Sequence, residues 1–236
     1  KRGRLNANTR YRFKNIDGLS IGLNTNFIRF ESGTFFIWAD AYNGSLQPYG
    51  GFDSLTTSFT SGHYSRWNVD PSINYFSKNG DKQSLKGRYF LTSNDVGDSS
   101  KSSNSKLYYG EYQYQKHFQF GLNAIAGITA SYGIITAGLY GNHTENNQAA
   151  FLQFSQAIQN LNVEAGMRFE KFGIDSIKSK SQPVFRAGLN YQLAQATFIR
   201  CSFGEGYRFP SVAEKFTQTN IGSIKVFPNP EVQAET

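Results

Sequence analysis

The sequence predicts an all-β protein, an antiparallel, up-and-down transmembrane β-barrel to which this chain contributes about ten strands. Apolar and polar residues alternate with a period of two through most of the chain, which is the pattern of strands with two different faces. Short and long connections alternate between these stretches, as they do in a meander whose tight turns all lie at one end. No apolar run approaches the roughly eighteen residues that a spanning helix needs, so a membrane crossing must use strands.

The composition favours sheet and restricts the functions open to the chain. Of 236 residues, 39% are hydrophobic and 16% aromatic, and 23 are glycine, a balance that favours strands over helices. The single cysteine, Cys201, cannot form an internal disulfide and is interpreted as a packing or lipid-facing residue. The net charge of +7 is spread along the chain without a nucleic-acid-binding motif, so we expect a solvated polar face and no nucleic-acid partner.

Ten stretches are predicted as strands because each alternates or is rich in β-branched and aromatic residues. They are 4–14, 19–38, 67–75, 85–92, 108–118, 120–140, 149–158, 161–170, 185–192 and 199–203. The third contains Pro71, which removes one ladder donor. The sixth is rich in alanine and is also compatible with a helix, but its glycines and β-branched residues favour a strand.

The connections between these stretches differ in length. Tight turns are predicted after the first, third, fifth, seventh and ninth strands, for example at NIDG (15–18). Longer polar loops are predicted after the others, at about 39–62, at DVGDSSKSSNS, at NHTENNQ, at DSIKSKSQ and in the last stretch, 204–236. Because prolines interrupt that last stretch, it is interpreted as a loop at one rim.

The polar face carries charged residues in the middle of strands. A soluble β-sandwich also alternates, so the pattern alone leaves the inner face undecided. The predicted strands are longer than the usual five or six residues, which favours a barrel with an apolar outside and a wet interior. The wall residues expected to face inward are Arg4, Arg10, Arg12, Arg88, Glu164, Arg168, Glu170, Arg186 and Arg200.

No catalytic or metal-binding pattern is present in the sequence. His63, His117 and His143 are far apart in sequence and lack metal-ligand spacing. We therefore expect no enzyme activity, no metal and no cofactor.

The end of the chain resembles a known signature. GEGYRFPSVAEKF followed by FPNPEVQAET resembles the barrel motifs of TonB-dependent outer-membrane receptors of the Bacteroidetes type. These have an R-x-P-S-x-x-E-like break and a following NP-[DE]-L-K-P-E-like return. The matching residues are Arg208, Pro210, Ser211, Glu214, Asn229, Pro230, Glu231 and Glu235. Gln233 and Ala234 depart from the usual Lys and Pro of the second motif.

This resemblance implies a twenty-two-stranded barrel plugged by an amino-terminal domain and energised by the TonB complex. It implies a bacterial outer membrane, with lipid and lipopolysaccharide around the barrel, and import of a scarce ligand such as an iron–siderophore complex. Residues 1–236 are then part of the barrel domain, and we expect the plug and the final strands to belong to a longer protein. The wall residues would hold the plug by hydrogen bonds and ion pairs.

The first long loop is the expected ligand-capture region. Aromatic and amide side chains suit large polar ligands, and the predicted residues are Tyr42, Asn43, Gln47, Tyr49 and Phe52. Three other interpretations stay open: a passive porin or adhesin barrel, a barrel enzyme, and a soluble β-sandwich binding module.

Overall fold

The protein is described by a computed structural model covering residues 1–35, 38–40, 42, 47–51, 53, 56–178, 181–221 and 224–235. Its long strands are β1 (Arg2–Arg12), β2 (Leu19–Thr34), β3 (Thr60–Phe76), β4 (Lys82–Asp95), β5 (Ser103–His117), β6 (Leu122–Ala137), β7 (Gly141–Ile158), β8 (Leu161–Ile174), β10 (Gln182–Ala194) and β11 (Thr197–Gly204). The short elements are β9 (Ile177–Lys178), α1 (Val212–Phe216), β12 (Thr219–Ile221) and β13 (Ile224–Val226).

The ten long strands form one antiparallel sheet in sequence order, with β1 and β11 at its two edges. This confirms the predicted up-and-down topology and the assignment of the alanine-rich stretch to a strand. Within the described residues the two edge strands do not pair with each other, so the sheet is an open part of a barrel. An open sheet presents unpaired backbone groups along both edges.

The register keeps like faces together from edge to edge. Phe27 of β2 lies opposite Leu5 of β1 and Trp67 of β3, and the alignment continues to Leu189 opposite Cys201. Because the period is two, the alternate positions form a second, polar face. We call these surfaces the apolar face and the polar face.

Few side chains are buried in the sheet itself. Among the described residues, the buried hydrophobic side chains are Ala137, Ala149, Ile174 and Val212, which come from β6, β7, β8 and α1. Large apolar side chains such as Leu5, Ile128 and Phe203 remain exposed on the apolar face. A contiguous apolar surface of this extent needs another apolar phase against it.

The connections divide the sheet into two ends. At one end, the turn end, lie the short connections 13–18, 77–81, 118–121, 159–160 and 195–196; at the other, the loop end, lie 35–59, 96–102, 175–181 and the segment after Gly204. Gly18 and Gly80 have φ of 81° and 84°, a conformation that glycine adopts without a steric penalty.

Several predicted boundaries were wrong. Strand β3 begins at Thr60 and not at residue 67, and β5 begins at Ser103 and not at residue 108. NHTENNQ is not a loop but the first part of β7, and the connection before it is a tight turn at 138–140. In this part of β7 the side chains are polar on both faces of the sheet, so the sequence shows no alternation there. Strand β2 ends at Thr34, not at Trp38, which instead forms an isolated bridge with Pro48. The last stretch is not a simple loop, since it contains α1 and the β12–β13 hairpin.

Candidate functional site

The polar face carries a belt of paired charges across neighbouring strands. Arg88 on β4 binds Asp70 on β3 through two contacts, Nε to Oδ1 at 2.7 Å and Nη2 to Oδ2 at 2.9 Å. The amides of Asn68 and Asn24 donate to the same carboxylate at 3.0 and 3.4 Å. A two-point contact of this kind fixes the guanidinium plane as well as its position.

The belt continues on β5. Lys86 lies 3.2 Å from Glu111, and the hydroxyl of Tyr109 donates to the other oxygen of that carboxylate at 2.6 Å. Tyr109 and Glu111 share the polar face because they are two residues apart on one strand.

Further along the sheet, β8 and β10 contribute the remaining members. Arg168 lies 3.0 Å from Glu170, which also accepts a hydrogen bond from Asn147 at 2.5 Å. Arg186 donates to Gln153. Each of these arginines is therefore held by its neighbours on the wall, and the belt presents fixed donors and acceptors with little uncompensated charge.

Other predicted wall residues lie on the same face with weaker local contacts. Arg10 donates to Ser20 at 3.2 Å and Arg4 to Asn26 at 2.9 Å. Arg12, Glu164 and Arg200 occupy alternate positions of β1, β8 and β11 on this face. The structure brings the predicted wall residues onto one surface; their role towards a plug stays a prediction.

We call residues 205–235 the terminal segment. It contains the capped helix α1. The Ser211 hydroxyl accepts from the N–H of Glu214, and the Glu214 carboxylate accepts from the N–H of Ser211 at 2.7 Å. This reciprocal pair satisfies two backbone donors at the start of α1. The N–H and hydroxyl of Ser211, followed by the Arg208 guanidinium, lower the pKa of Glu214 to about 2.

Arg208 connects the two halves of the terminal segment. Its guanidinium pairs with Glu214 and, at 3.3 Å, with Glu235. The backbones of Arg208 and Glu235 also exchange two hydrogen bonds, at 3.0 and 2.9 Å. The two motifs of the sequence signature therefore meet in space although more than twenty residues separate them.

Lys215 is the buried centre of this unit. It is 2% exposed, and its ammonium donates to the carbonyls of Pro230 at 2.8 Å and Val232 at 2.5 Å. The ammonium also lies 5.3 Å from the centre of the Phe209 ring. Burial lowers the pKa of Lys215. The two carbonyl oxygens accept hydrogen bonds from the ammonium group, which offsets part of the cost of burying its charge.

The terminal segment packs on the loop end of β7 and β8. Phe209 contacts Phe172 with ring centres 4.4 Å apart, and Phe216 stacks on His143 at 4.0 Å. The N–H of Gln218 donates to the carbonyl of Leu139 at 2.8 Å. Since His143 and Phe172 point to the polar face, the segment covers the polar side of the rim.

His143 is itself fixed by its neighbours. Its Nδ1 lies 2.7 Å from the Asp175 carboxylate and its Nε2 lies 2.6 Å from the Tyr140 carbonyl. The ring thus offers Phe216 a stationary stacking surface.

The predicted ligand-capture residues are described only in part. Tyr42 and Tyr49 are exposed, at 93% and 59%, and the carbonyl of Gln47 accepts from the N–H of Ala39 at 3.1 Å. Asn43 and Phe52 lie outside the described residues. The exposed rings are available to a ligand, and no contact joins them to the belt within the part of the chain that the structure describes.

The described residues contain neither a metal-binding cluster nor a membrane-spanning helix. No three His, Cys, Asp or Glu side chains are placed to hold a metal ion. No helix there has the length and apolar character to cross a membrane.

The paired motifs of the terminal segment and the single meandering sheet agree with one known family. A family model described as TonB dependent receptor-like, beta-barrel, matches residues 1–236. The chain belongs to this family. No curated protein matches the chain. The family consists of outer-membrane transport receptors, so the belt and the terminal segment are parts of a receptor barrel.

Sequence reasoning missed several residues of this receptor barrel. Lys215 gave no signal, because its burial depends on carbonyls fifteen and more residues away. The helix α1 was also missed, although the sequence contains a signal for it: Ser211 and Glu214 have the spacing of a capping box. Asp70 was also detectable, since it lies mid-strand on the same face as the predicted arginines.

Proposed function

We propose that this chain is part of an outer-membrane receptor that imports an iron–siderophore complex through a plugged barrel, driven by the TonB complex. The family match over residues 1–236 carries the receptor part of this proposal. The apolar face faces lipid and the polar face lines the interior, as in outer-membrane barrels. The turn end is periplasmic and the loop end extracellular, because such barrels have short periplasmic turns and longer extracellular loops.

The belt supports contact with a plug. Its carboxylates and guanidinium groups are positioned by each other, so a plug surface meets an ordered set of donors and acceptors at small entropic cost. The exposed faces of Arg88 and Arg168 retain free N–H groups for this contact, while Arg10 and Arg186 extend the surface to either side.

The siderophore is the ligand we expect at the loop end. Tyr42 and Tyr49 offer exposed aromatic surface, with Asn43, Gln47 and Phe52 in the same loop, and this combination suits a large polar ligand with aromatic groups.

Uptake by cells tests the ligand. The full-length receptor is expressed in a strain lacking its own copy, and uptake of radioactive iron bound to a siderophore is measured under iron starvation. We expect uptake that disappears when the TonB complex is deleted and falls when Tyr42 and Tyr49 are both replaced by alanine. Uptake of haem, vitamin B12 or an oligosaccharide instead would contradict the siderophore as the ligand but not the function as a receptor.

Passive leak tests the plug-facing role of the belt. Arg88→Glu together with Arg168→Glu should weaken plug retention, so cells become more sensitive to a large antibiotic normally excluded by the barrel. Lys116→Glu, at the turn end of the apolar face, is the matched charge reversal and should leave sensitivity unchanged. Equal sensitivity of the belt variant and wild type would contradict the assignment.

A further inference from the structure

Two aromatic rings stack on the polar face near the loop end. Phe30 of β2 lies opposite Tyr64 of β3, and their ring centres are 5.0 Å apart with an angle of 16° between the planes. Gly62 makes room for this stack, since a Cβ atom there would lie 2.9 Å from the Tyr64 hydroxyl. Both rings are partly exposed, and the Tyr64 hydroxyl donates to no described residue. The stack is therefore an aromatic surface with an O–H group that can still donate.

Three guanidinium groups surround the stack. Arg2 of β1 lies opposite Phe30. In the next row of the polar face, Ile28 has Arg4 on one side and Arg66 on the other. Opposed positions on one face lie about 5 Å apart at Cβ and diagonal positions about 7 Å apart, so all three exposed arginines are within side-chain reach of the stack. We call Arg2, Arg4, Phe30, Tyr64 and Arg66 the mouth cluster.

The charge of the mouth cluster is not compensated on the wall. Arg2 and Arg66 have no ion-pair or hydrogen-bond partner among the described residues, and Arg4 donates only from its Nε, to two asparagine side chains. Within the described strands β1 to β3, the polar-face positions carry one carboxylate, Asp70, and Arg88 already binds it. The belt has its cations paired, whereas the mouth cluster has an excess of positive charge that attracts an anion.

The mouth cluster lies at the base of the first long loop. This loop, 35–59, connects β2 to β3, so it leaves and re-enters the sheet a few residues beyond Phe30 and Tyr64. The exposed rings of Tyr42 and Tyr49 belong to the same loop. Guanidinium groups bind anionic oxygens through charge-assisted hydrogen bonds and also stack on aromatic rings. Together these groups fit a ligand that combines negative charge with aromatic rings.

We propose that the mouth cluster binds an aromatic anion, which for an iron–siderophore complex means a negatively charged ferric catecholate and not a neutral ferric hydroxamate. The ligand rings pack against Phe30 and Tyr64, while the phenolate oxygens accept hydrogen bonds from Arg2 and Arg66. Arg4, whose Nε is held by asparagines, presents its terminal nitrogens from a fixed position. The inference rests on the proposed function, because the ligand reaches the mouth cluster only if the loop end is extracellular.

Ligand binding to the purified full-length receptor in detergent tests the mouth cluster. Affinities are measured for a ferric tris-catecholate complex and for a neutral ferric trihydroxamate complex, each labelled with radioactive iron. We expect the wild type to prefer the catecholate. Arg66→Gln should weaken catecholate binding about tenfold, because a charge-assisted contact is lost, and adding Arg2→Gln should weaken it further. Raising the salt concentration should weaken catecholate binding more in the wild type than in this double variant.

Substitutions on the apolar face are the matched controls. Arg29→Gln removes a guanidinium group next to Phe30 in sequence, but Arg29 lies opposite Ser65 on the other face of the sheet, so catecholate binding should equal that of wild type. Phe30→Leu removes the ring but keeps an apolar side chain, and it should weaken catecholate binding about fivefold. Phe27→Leu, the same change on the apolar face, should have no effect. Heat-modifiable migration verifies that each variant is folded.

The outcomes separate this site from the plug contact and from the choice of siderophore. Equal catecholate binding by wild type and the Arg2→Gln, Arg66→Gln receptor would overturn the proposal, as would tighter binding of the hydroxamate. Greater antibiotic sensitivity of that variant with unchanged ligand affinity would also overturn it, since the arginines would then hold the plug. Haem, an aromatic macrocycle with carboxylate groups, is the third probe. Tight haem binding that the same variant loses would support the site and contradict only the siderophore of the proposed function.

Discussion

The receptor wall and the terminal segment are stabilised by different means. The wall buries few side chains among the described residues, and its backbone hydrogen bonds join neighbouring strands. The proposed function puts lipid against its apolar face and the barrel interior against its polar face. The terminal segment has a small core around Val212 and Lys215, and polar clamps join its two halves. The wall depends on what lies against its two faces. The terminal segment depends on packing around Val212 and Lys215, which a single substitution can disrupt.

The largest expected effect is on this core. Val212 is 3% exposed, so Val212→Asp buries a carboxylate without a partner and should cost more than about 2 kcal/mol of docking free energy. Hydrogen exchange of residues 205–235 in the full-length receptor should become fast while exchange in β4 to β6 stays slow. Val212→Ile, which conserves the apolar contact, should remain protected. Equal exchange in the Asp variant would mean that the segment has no core of its own.

Loss of the helix cap should have a smaller effect. Ser211→Ala removes the hydroxyl that accepts from Glu214 and should cost about 1 kcal/mol. Ser211→Asp retains an acceptor at the cap and should restore most of the protection. The readout is again hydrogen exchange at α1. If alanine and aspartate behave alike, the cap does not stabilise the segment.

Acid sharpens the same comparison. The pKa of Glu214, about 2 in the folded segment, lies below its ordinary value of 4.5. Its contribution is therefore complete above pH 4.5 and is lost as the pH falls towards 2. Exchange at α1 should change little between pH 7 and pH 5 after correction for intrinsic rates, and Glu214→Gln should remove the acid-dependent part. Loss of protection already at pH 5 would contradict a Glu214 pKa of about 2 in the folded segment.

The smallest effect is expected on the wall. Asp70→Asn breaks the ion pair with Arg88, whose side chain is 52% exposed, so solvent compensates and the cost should be about 0–1 kcal/mol. The heat-modification temperature of the receptor should barely move. Val69→Ala, a substitution of the neighbouring uncharged residue, is the control, and its shift in heat-modification temperature is compared with that of Asp70→Asn. A large shift for Asp70→Asn would show that the belt holds the wall together and does not merely line it.

Much of the wall was predictable because its pattern is local. Alternation between Leu5 and Tyr11, or between Leu161 and Phe169, needs only the two-residue period of a strand, and turn sequences such as NIDG fix where the chain reverses. The prediction was wrong at NHTENNQ because a strand that is polar on both faces has no alternation to show. The loop residues Tyr42, Asn43, Gln47, Tyr49 and Phe52 stay a prediction.

The sequence by itself determined which side chains share a face of the sheet, since that follows from counting along one strand. It did not determine which residues pair across strands: Arg88 meets Asp70 and Arg208 meets Glu235 only because register and loop closure bring them together. The burial of Lys215 is likewise tertiary, because it depends on the carbonyls of Pro230 and Val232. Local periodicity predicts the wall, and non-local packing decides its sites.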